Sequence, residues 1–98
     1  MAALRFPTKE KASVEIYGKA GKLFADLANI SRTGACLEYP IDDTPVRRGD
    51  LLRLTVELPN VGRRHFISAE VVWRTGKRTG VLFLKPEELL DRMVGREA

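Results

Sequence analysis

Cysteine occurs once in these 98 residues, at Cys36, and histidine once, at His65. A lone thiol cannot close an internal disulfide, so a reducing cytoplasm is the expected location. One histidine, with no cysteine pair or carboxylate at ligand spacing, supplies too few donors for a metal centre. No apolar run approaches the ~20 residues that a membrane span needs, and the N-terminus has no signal-type apolar segment, so no membrane insertion is expected. Internal repeats and low-complexity tracts are absent as well. Catalytic pairings are equally scarce. Ser31 has no histidine base near it in the sequence, and a nucleophile needs one within hydrogen-bond reach. Asp42 and Asp43 are adjacent, so in extended chain they point to opposite faces and cannot act as a carboxylate pair. The reading is that this is not an enzyme and takes no cofactor.

What remains is an ordinary globular balance, 44% apolar and 31% charged. A chain this short makes one domain with one modest core, which suits a binding module better than a large closed active site. The net charge of +4 favours an anionic partner without naming it.

Residues 1–10 lack periodicity, carry Pro7, and read as a flexible N-terminal arm; residues 11–98 read as a single folded domain. Ala12–Gly18 alternates apolar and polar, as a strand does. Lys19–Lys22 turns the chain into a second strand, Leu23–Ile30, and Ala35–Tyr39 follows as a third. Pro40–Pro45 is loop by composition, with a turn at Arg47–Asp50. Leu51–Leu58 places Leu52, Leu54, Val56 and Leu58 on one face. In His65–Trp73, Ile67, Ala69, Val71 and Trp73 share a face, which makes Trp73 a core residue. Arg74–Arg78 reads as a basic loop before a last strand, Thr79–Leu84. Pro86 and two glutamates start a helix over about 86–94, with Leu89, Leu90, Met93 and Val94 as its apolar stripe and Gly95 as its stop. Six short strands and a C-terminal helix predict an all-β fold, a six-stranded antiparallel barrel whose mouth or flank the helix stripe covers.

The turn Asn29-Ile30-Ser31-Arg32-Thr33-Gly34 lies between two of these strands. Asn and Ser fix turns by bonding nearby backbone N–H groups, and Gly34 is placed where a reversing chain takes φ > 0. The spelling resembles the D/N-x-S-x-x-G signature of PilZ domains, small bacterial β-barrels that bind the second messenger cyclic di-GMP. Arg5-Phe6-Pro7 upstream, Val71-Val72-Trp73 and Thr79-Gly80-Val81-Leu82-Phe83 fit the same family in the same order. The resemblance covers Arg5 to about Leu84, and the family's fold has the barrel-and-helix arrangement just described.

The resemblance implies a cyclic di-GMP site made of Arg5, Asn29, Ser31, Arg32 and Gly34, with Lys9 and Trp73 as further candidates. Arginine's planar fork matches guanine O6 and N7, roughly 1–3 kcal/mol per good pair in the DNA precedent. Arg5 would clamp the base edge over a floor of Asn29, Ser31 and Gly34, while Arg32 contacts a phosphate. The family's arm reads R-x-x-x-R; here the spacing from Arg5 ends in Lys9, a point charge without the fork, and the other alignment puts Met1 at the first arginine. One lost clamp weakens binding on the order of ten to a hundred-fold.

Three functions compete. The first is a cyclic di-GMP receptor whose arm orders on binding and changes its contacts with an effector protein. The second is a degenerate domain that binds no nucleotide and acts as a protein-interaction adaptor, through an apolar patch on the helix if Leu90 or Met93 is uncovered. The third, a single-strand nucleic-acid binder, ranks last, because such proteins need exposed aromatics and most of these sit at inward-looking strand positions. Arg47, Arg48, Arg63, Arg64, Arg74, Lys77 and Arg78 read as solvated loop charges.

Overall fold

The computed structural model describes residues 6–7, 10–42, 44–58 and 63–97. Its elements in chain order are β1 (Phe6–Pro7), β2 (Lys11–Ile16), β3 (Leu23–Ile30), β4 (Gly34–Glu38), β5 (Leu51–Leu58), β6 (Arg63–Thr75), β7 (Arg78–Leu84) and α1 (Pro86–Glu97). All strand pairings are antiparallel. The lateral order β3-β2-β5-β6-β7-β4 returns to β3 through the β3–β4 pairing, so six strands close a barrel as expected.

Period-two alternation builds the core. Ala12, Val14 and Ile16 from β2, Ala25 and Leu27 from β3, Ala35 and Leu37 from β4, Leu52, Leu54 and Val56 from β5, Ala69 and Val71 from β6, and Val81 from β7 meet inside. All are buried, and each such side chain contributes about 1.5–3 kcal/mol of transfer free energy when it is a Val or Leu. Tyr39, just beyond β4, joins this cluster with its ring buried.

Two strands break the alternation. In β3, Leu27 faces Leu37 but Asn29, two residues on, faces the very next partner, Cys36; Ala28 is the extra residue. In β6, Val71 faces Val81 and Trp73 faces Gly80, so Val72 is extra. Each one-residue bulge reverses which way the following side chains point. This corrects the placement of Trp73: it does not continue the Ile67–Val71 face into the core but lies on the outside, 39% exposed.

The segment expected as a basic loop at 74–78 is mostly strand. β6 runs to Thr75 and β7 begins at Arg78, joined by the two-residue turn Gly76–Lys77. Gly76 has φ +56°, as the first central position of a tight hairpin turn requires. Arg74 is not a solvated charge either. Its guanidinium donates to the carbonyls of Thr44 at 2.9 Å and Val46 at 2.6 Å and to that of Asp42. Arginine's fork thereby ties the loop after β4 to the end of β6, with Val46 fully buried beneath it.

Part of the expected arm is structured: β1 pairs with β3, Phe6 opposite Ile30 and Pro7 opposite Asn29. It extends the line of β2 along the same strand, and the Leu27 N–H donating to Glu10 O at 2.7 Å bridges the interval.

At the other end, the Lys85 N–H donates to Glu88 Oε1 at 3.0 Å, and Leu89 N–H to Lys85 O at 2.9 Å. That is a helix start capped by its own third residue, with Pro86 in the position that lacks an N–H to satisfy. The helix does not stop at Gly95 but continues to Glu97, because Gly95 lacks the positive φ of a terminating glycine. Nor does its stripe cover the barrel. Leu89 is half-buried and Arg92 bonds Glu70 on β6 at 3.1 Å, yet Leu90, Met93 and Val94 stay exposed. α1 rests on β6 and β7 by one edge only.

Candidate functional site

The turn after β3 is built around one hydroxyl. Ser31 Oγ accepts from the N–H groups of Thr33 at 3.3 Å and Gly34 at 3.2 Å, and it lies within bonding distance of Gly34 O, at 3.3 Å. The Ser31 N–H donates to the same Gly34 carbonyl at 2.8 Å, closing the turn. The side chain does what short polar residues do in turns, substituting for backbone partners.

Gly34 is required for a reason other than the expected one. Its φ is not positive; the glycines in that region are Gly18, Gly21, Gly49 and Gly76. Gly34 opens β4 in extended conformation opposite Leu82, and a Cβ there would overlap the carbonyl oxygen of Val81 and come within 3.2 Å of its carbon. What it admits at close range is β7. Arg32, at the turn's tip, is exposed and faces a groove of about 340 Å³ shared with Leu82, Lys85 and Glu88, on the side toward α1.

Asn29 and Trp73 are distant in sequence but stand in one lateral row. Asn29 pairs with Cys36, Cys36 with Gly80, and Gly80 with Trp73, crossing β3, β4, β7 and β6. Laterally paired residues present side chains to the same face. The flanking positions Ala35, Leu37 and Val81 point into the core, so this row lies outside. Three strand spacings of about 4.8 Å separate its ends by roughly 14 Å along the sheet. On its far side Asn29 meets Pro7 of β1. The row's middle is small, Cys36 and Gly80, and its wall is the Trp73 indole, which lies where a Gly80 Cβ would project. The result is a shelf with an aromatic at one end, and an amide next to the N-terminal segment at the other.

Each bulge serves this shelf. Without Ala28 as an extra residue, Asn29 would follow Leu27 inward; without Val72, Trp73 would follow Val71. Arg5 and Lys9 lie outside the described residues. The structure therefore brings together Asn29, Trp73 and the Ser31–Gly34 turn, and sets Arg32 on the adjoining groove.

Sequence reasoning passed over Gly80 and Cys36, the buried middle of this row. The available signal was a glycine set between Thr79 and Val81, the two residues of β7 that alternation turns inward. It also passed over Tyr39. Burial holds the Tyr39 hydroxyl above its ordinary pKa of 10.0, opposed by the bond from Thr79 and by the nearby Arg74 charge. Thr79 Oγ1 donates to it at 3.4 Å. Among the described residues no group of three or more His, Cys, Asp or Glu side chains is placed to hold a metal, and no helix is long and apolar enough to cross a membrane.

A family model described as PilZ domain matches residues 2–96. Among solved structures, the crystallised PilZ domain of CeSA from a cellulose-synthesizing bacterium is similar, with a TM-score of 0.69 over 98% of this chain and 100% of that one, at 13% identity. That identity speaks to the fold alone. Among curated proteins, none matches.

Proposed function

The chain belongs to the PilZ domain family, and on that footing we propose that it is a cytoplasmic second-messenger receptor that binds cyclic di-GMP on the Asn29–Trp73 shelf and signals by ordering its N-terminal arm. The observation that carries this reading is the pairing of Phe6 and Pro7 with Ile30 and Asn29. It leads the chain that holds Arg5 to the edge of the shelf, where a guanidinium fork can meet a guanine edge. Ser31 and Gly34 shape the turn, Asn29 offers an amide to the base or phosphate, and Trp73 offers a face for stacking. Arg32 and Lys9 supply charge for the phosphates. The reaction is binding alone; no residue here is asked to break a bond, and neither metal nor cofactor enters.

Titration calorimetry of the whole chain with cyclic di-GMP tests it. Heat with micromolar affinity is expected, and Arg5→Ala should remove it; a flat titration at several hundred micromolar ligand overturns the receptor reading.

A second reading has its own observation. Leu90 and Val94 are 61% and 58% exposed, and Met93 and Leu82 also reach water. An apolar patch of this kind on a helix marks a protein contact. On this reading the domain is an adaptor that has lost the nucleotide, and it gains support if the calorimetry is flat while Leu90→Asp disrupts a partner's capture.

A further inference from the structure

The other arc of the barrel carries a second lateral row. Phe24 pairs with Ser13, Ser13 with Thr55, and Thr55 with Phe66, crossing β3, β2, β5 and β6. Their neighbours Ala12, Val14, Ala25, Leu54 and Val56 fill the core, so this row also faces out. Both end rings stand in water, Phe24 at 64% and Phe66 at 60% exposure. The expectation that the aromatics look inward therefore fails at these two positions.

Beside Phe24 the surface dips. A trough of about 380 Å³ lies over Ser13 and Thr55, and Lys11, Lys22 and Arg64 line it. Ser13 Oγ at its base is buried with no hydrogen-bond partner, a group that a ligand could satisfy. The Arg53 guanidinium lies over the Phe66 ring at 4.5 Å from its centroid. Lys11 is occupied by Asp26 at 2.8 Å, and no carboxylate stands beside Lys22 and Arg64 in the lining of the trough.

Two exposed rings, one open and one with a guanidinium on one face, with cations beside them suit a partner that alternates flat apolar faces with negative charge. A small anion would leave the rings unused. The row's ends, three strand spacings or roughly 14 Å apart, are too far for one base to bridge. A duplex keeps its bases stacked on each other and offers the rings nothing. We propose that this face binds single-stranded nucleic acid without sequence preference, one base on Phe24, another on Phe66 with its Arg53 cover, and the intervening phosphates over Lys22 and Arg64. Stacking platforms combined with a positive groove are how strands are held in general. The site is separate from the Asn29–Trp73 shelf, which occupies the opposite arc.

Fluorescence anisotropy with an end-labelled twelve-residue oligothymidine at 50 mM salt tests this on the whole chain. Binding in the micromolar range that weakens steeply with added salt is expected. Phe24→Ala and Phe66→Ala should each weaken it about tenfold or more, and Phe24→Leu, which keeps apolar bulk but loses the ring, should do the same. Cyclic di-GMP calorimetry should be unchanged in these variants, so this proposal and the receptor reading fail separately. No binding at tens of micromolar overturns the proposal. So does undiminished binding in the phenylalanine variants, which would reduce it to charge alone. Sedimentation showing a wild-type dimer that Phe24→Ala dissolves also overturns it, because the face would then be a contact between two copies of this chain.

Discussion

Replacing Gly34 by alanine separates two explanations of one glycine. If the turn needed φ > 0 there, asparagine would be the mildest replacement, because its side chain tolerates the left-handed region. The structure instead puts the Val81 carbonyl where a Cβ would sit. Alanine and asparagine should then both be costly, with asparagine no better. The cost can be worked out. Backbone atoms of β7 cannot swing aside as a long side chain would, so β4 must move off β7 near Gly34. That loosens the end of a five-residue ladder running from Gly34–Leu82 to Glu38–Arg78, and it disturbs the Phe83 N–H bond to Thr33 O at 2.8 Å. Losing one or two backbone bonds costs about 1 kcal/mol each, and a buried carbonyl left unpaired adds about 1–3 kcal/mol. A loss of roughly 3–4 kcal/mol is a large share of the 5–15 kcal/mol that holds a domain of this kind together. It should lower the melting temperature by roughly 15 °C or more. Urea and thermal unfolding followed by circular dichroism read this directly. Gly95→Ala is the internal contrast: apart from its chain neighbours and its own helix backbone, no described atom lies within 4 Å of an added Cβ, and its φ is not positive, so it should stabilise the helix by about 0.5–1 kcal/mol. If Gly34→Asn were within 1 kcal/mol of wild type while Gly34→Ala was not, the close-approach argument would be wrong.

Arg74→Met removes the tie to the carbonyls of Asp42, Thr44 and Val46 while keeping bulk; a loss of roughly 2–4 kcal/mol is expected in urea unfolding, with little recovery in Arg74→Lys, whose single charge cannot fork. Tyr39 makes stability pH-dependent on the alkaline side. Its raised pKa means that the folded state keeps the proton more tightly than the unfolded one, so its contribution is complete below pH 10 and is lost as pH climbs through the raised value. Tyr39→Phe should flatten that limb of the melting-temperature profile, and an unchanged slope would count against it. On the receptor reading Trp73→Ala should weaken cyclic di-GMP about tenfold or more; equal affinity would remove Trp73 from the site.

How far these features could be read in advance depends on what kind of regularity carried them. Alternation named the inward set of β5 and the run of six strands, since a half-buried strand repeats every two residues. The turn chemistry of Ser31 was equally plain. Trp73 was misplaced because counting by twos passes through Val72 without noticing that Gly80 sits opposite and lets the strand slip by one. Gly34 was given a dihedral reason because a sequence shows a glycine's own freedom and not the strand pressed against it. Arg74 looked like one more charge in a basic run until the loop at 42–46 folded back over it. The general expectation that most aromatics look inward fails at Phe24 and Phe66, and for Phe66 the alternation that set Ile67, Ala69 and Val71 inward already pointed the other way.

The bulges at Ala28 and Val72 make the outward row from Asn29 to Trp73 a matter of odd and even. Pairing Ala28 or Val72 regularly, in place of leaving it as the extra residue, would turn Asn29 or Trp73 from outside to inside, whereas deleting it would keep the pairings Asn29–Cys36 and Trp73–Gly80. Such a barrel can thus lose its outward row to a shift of register alone, without any substitution at the residues that form the row.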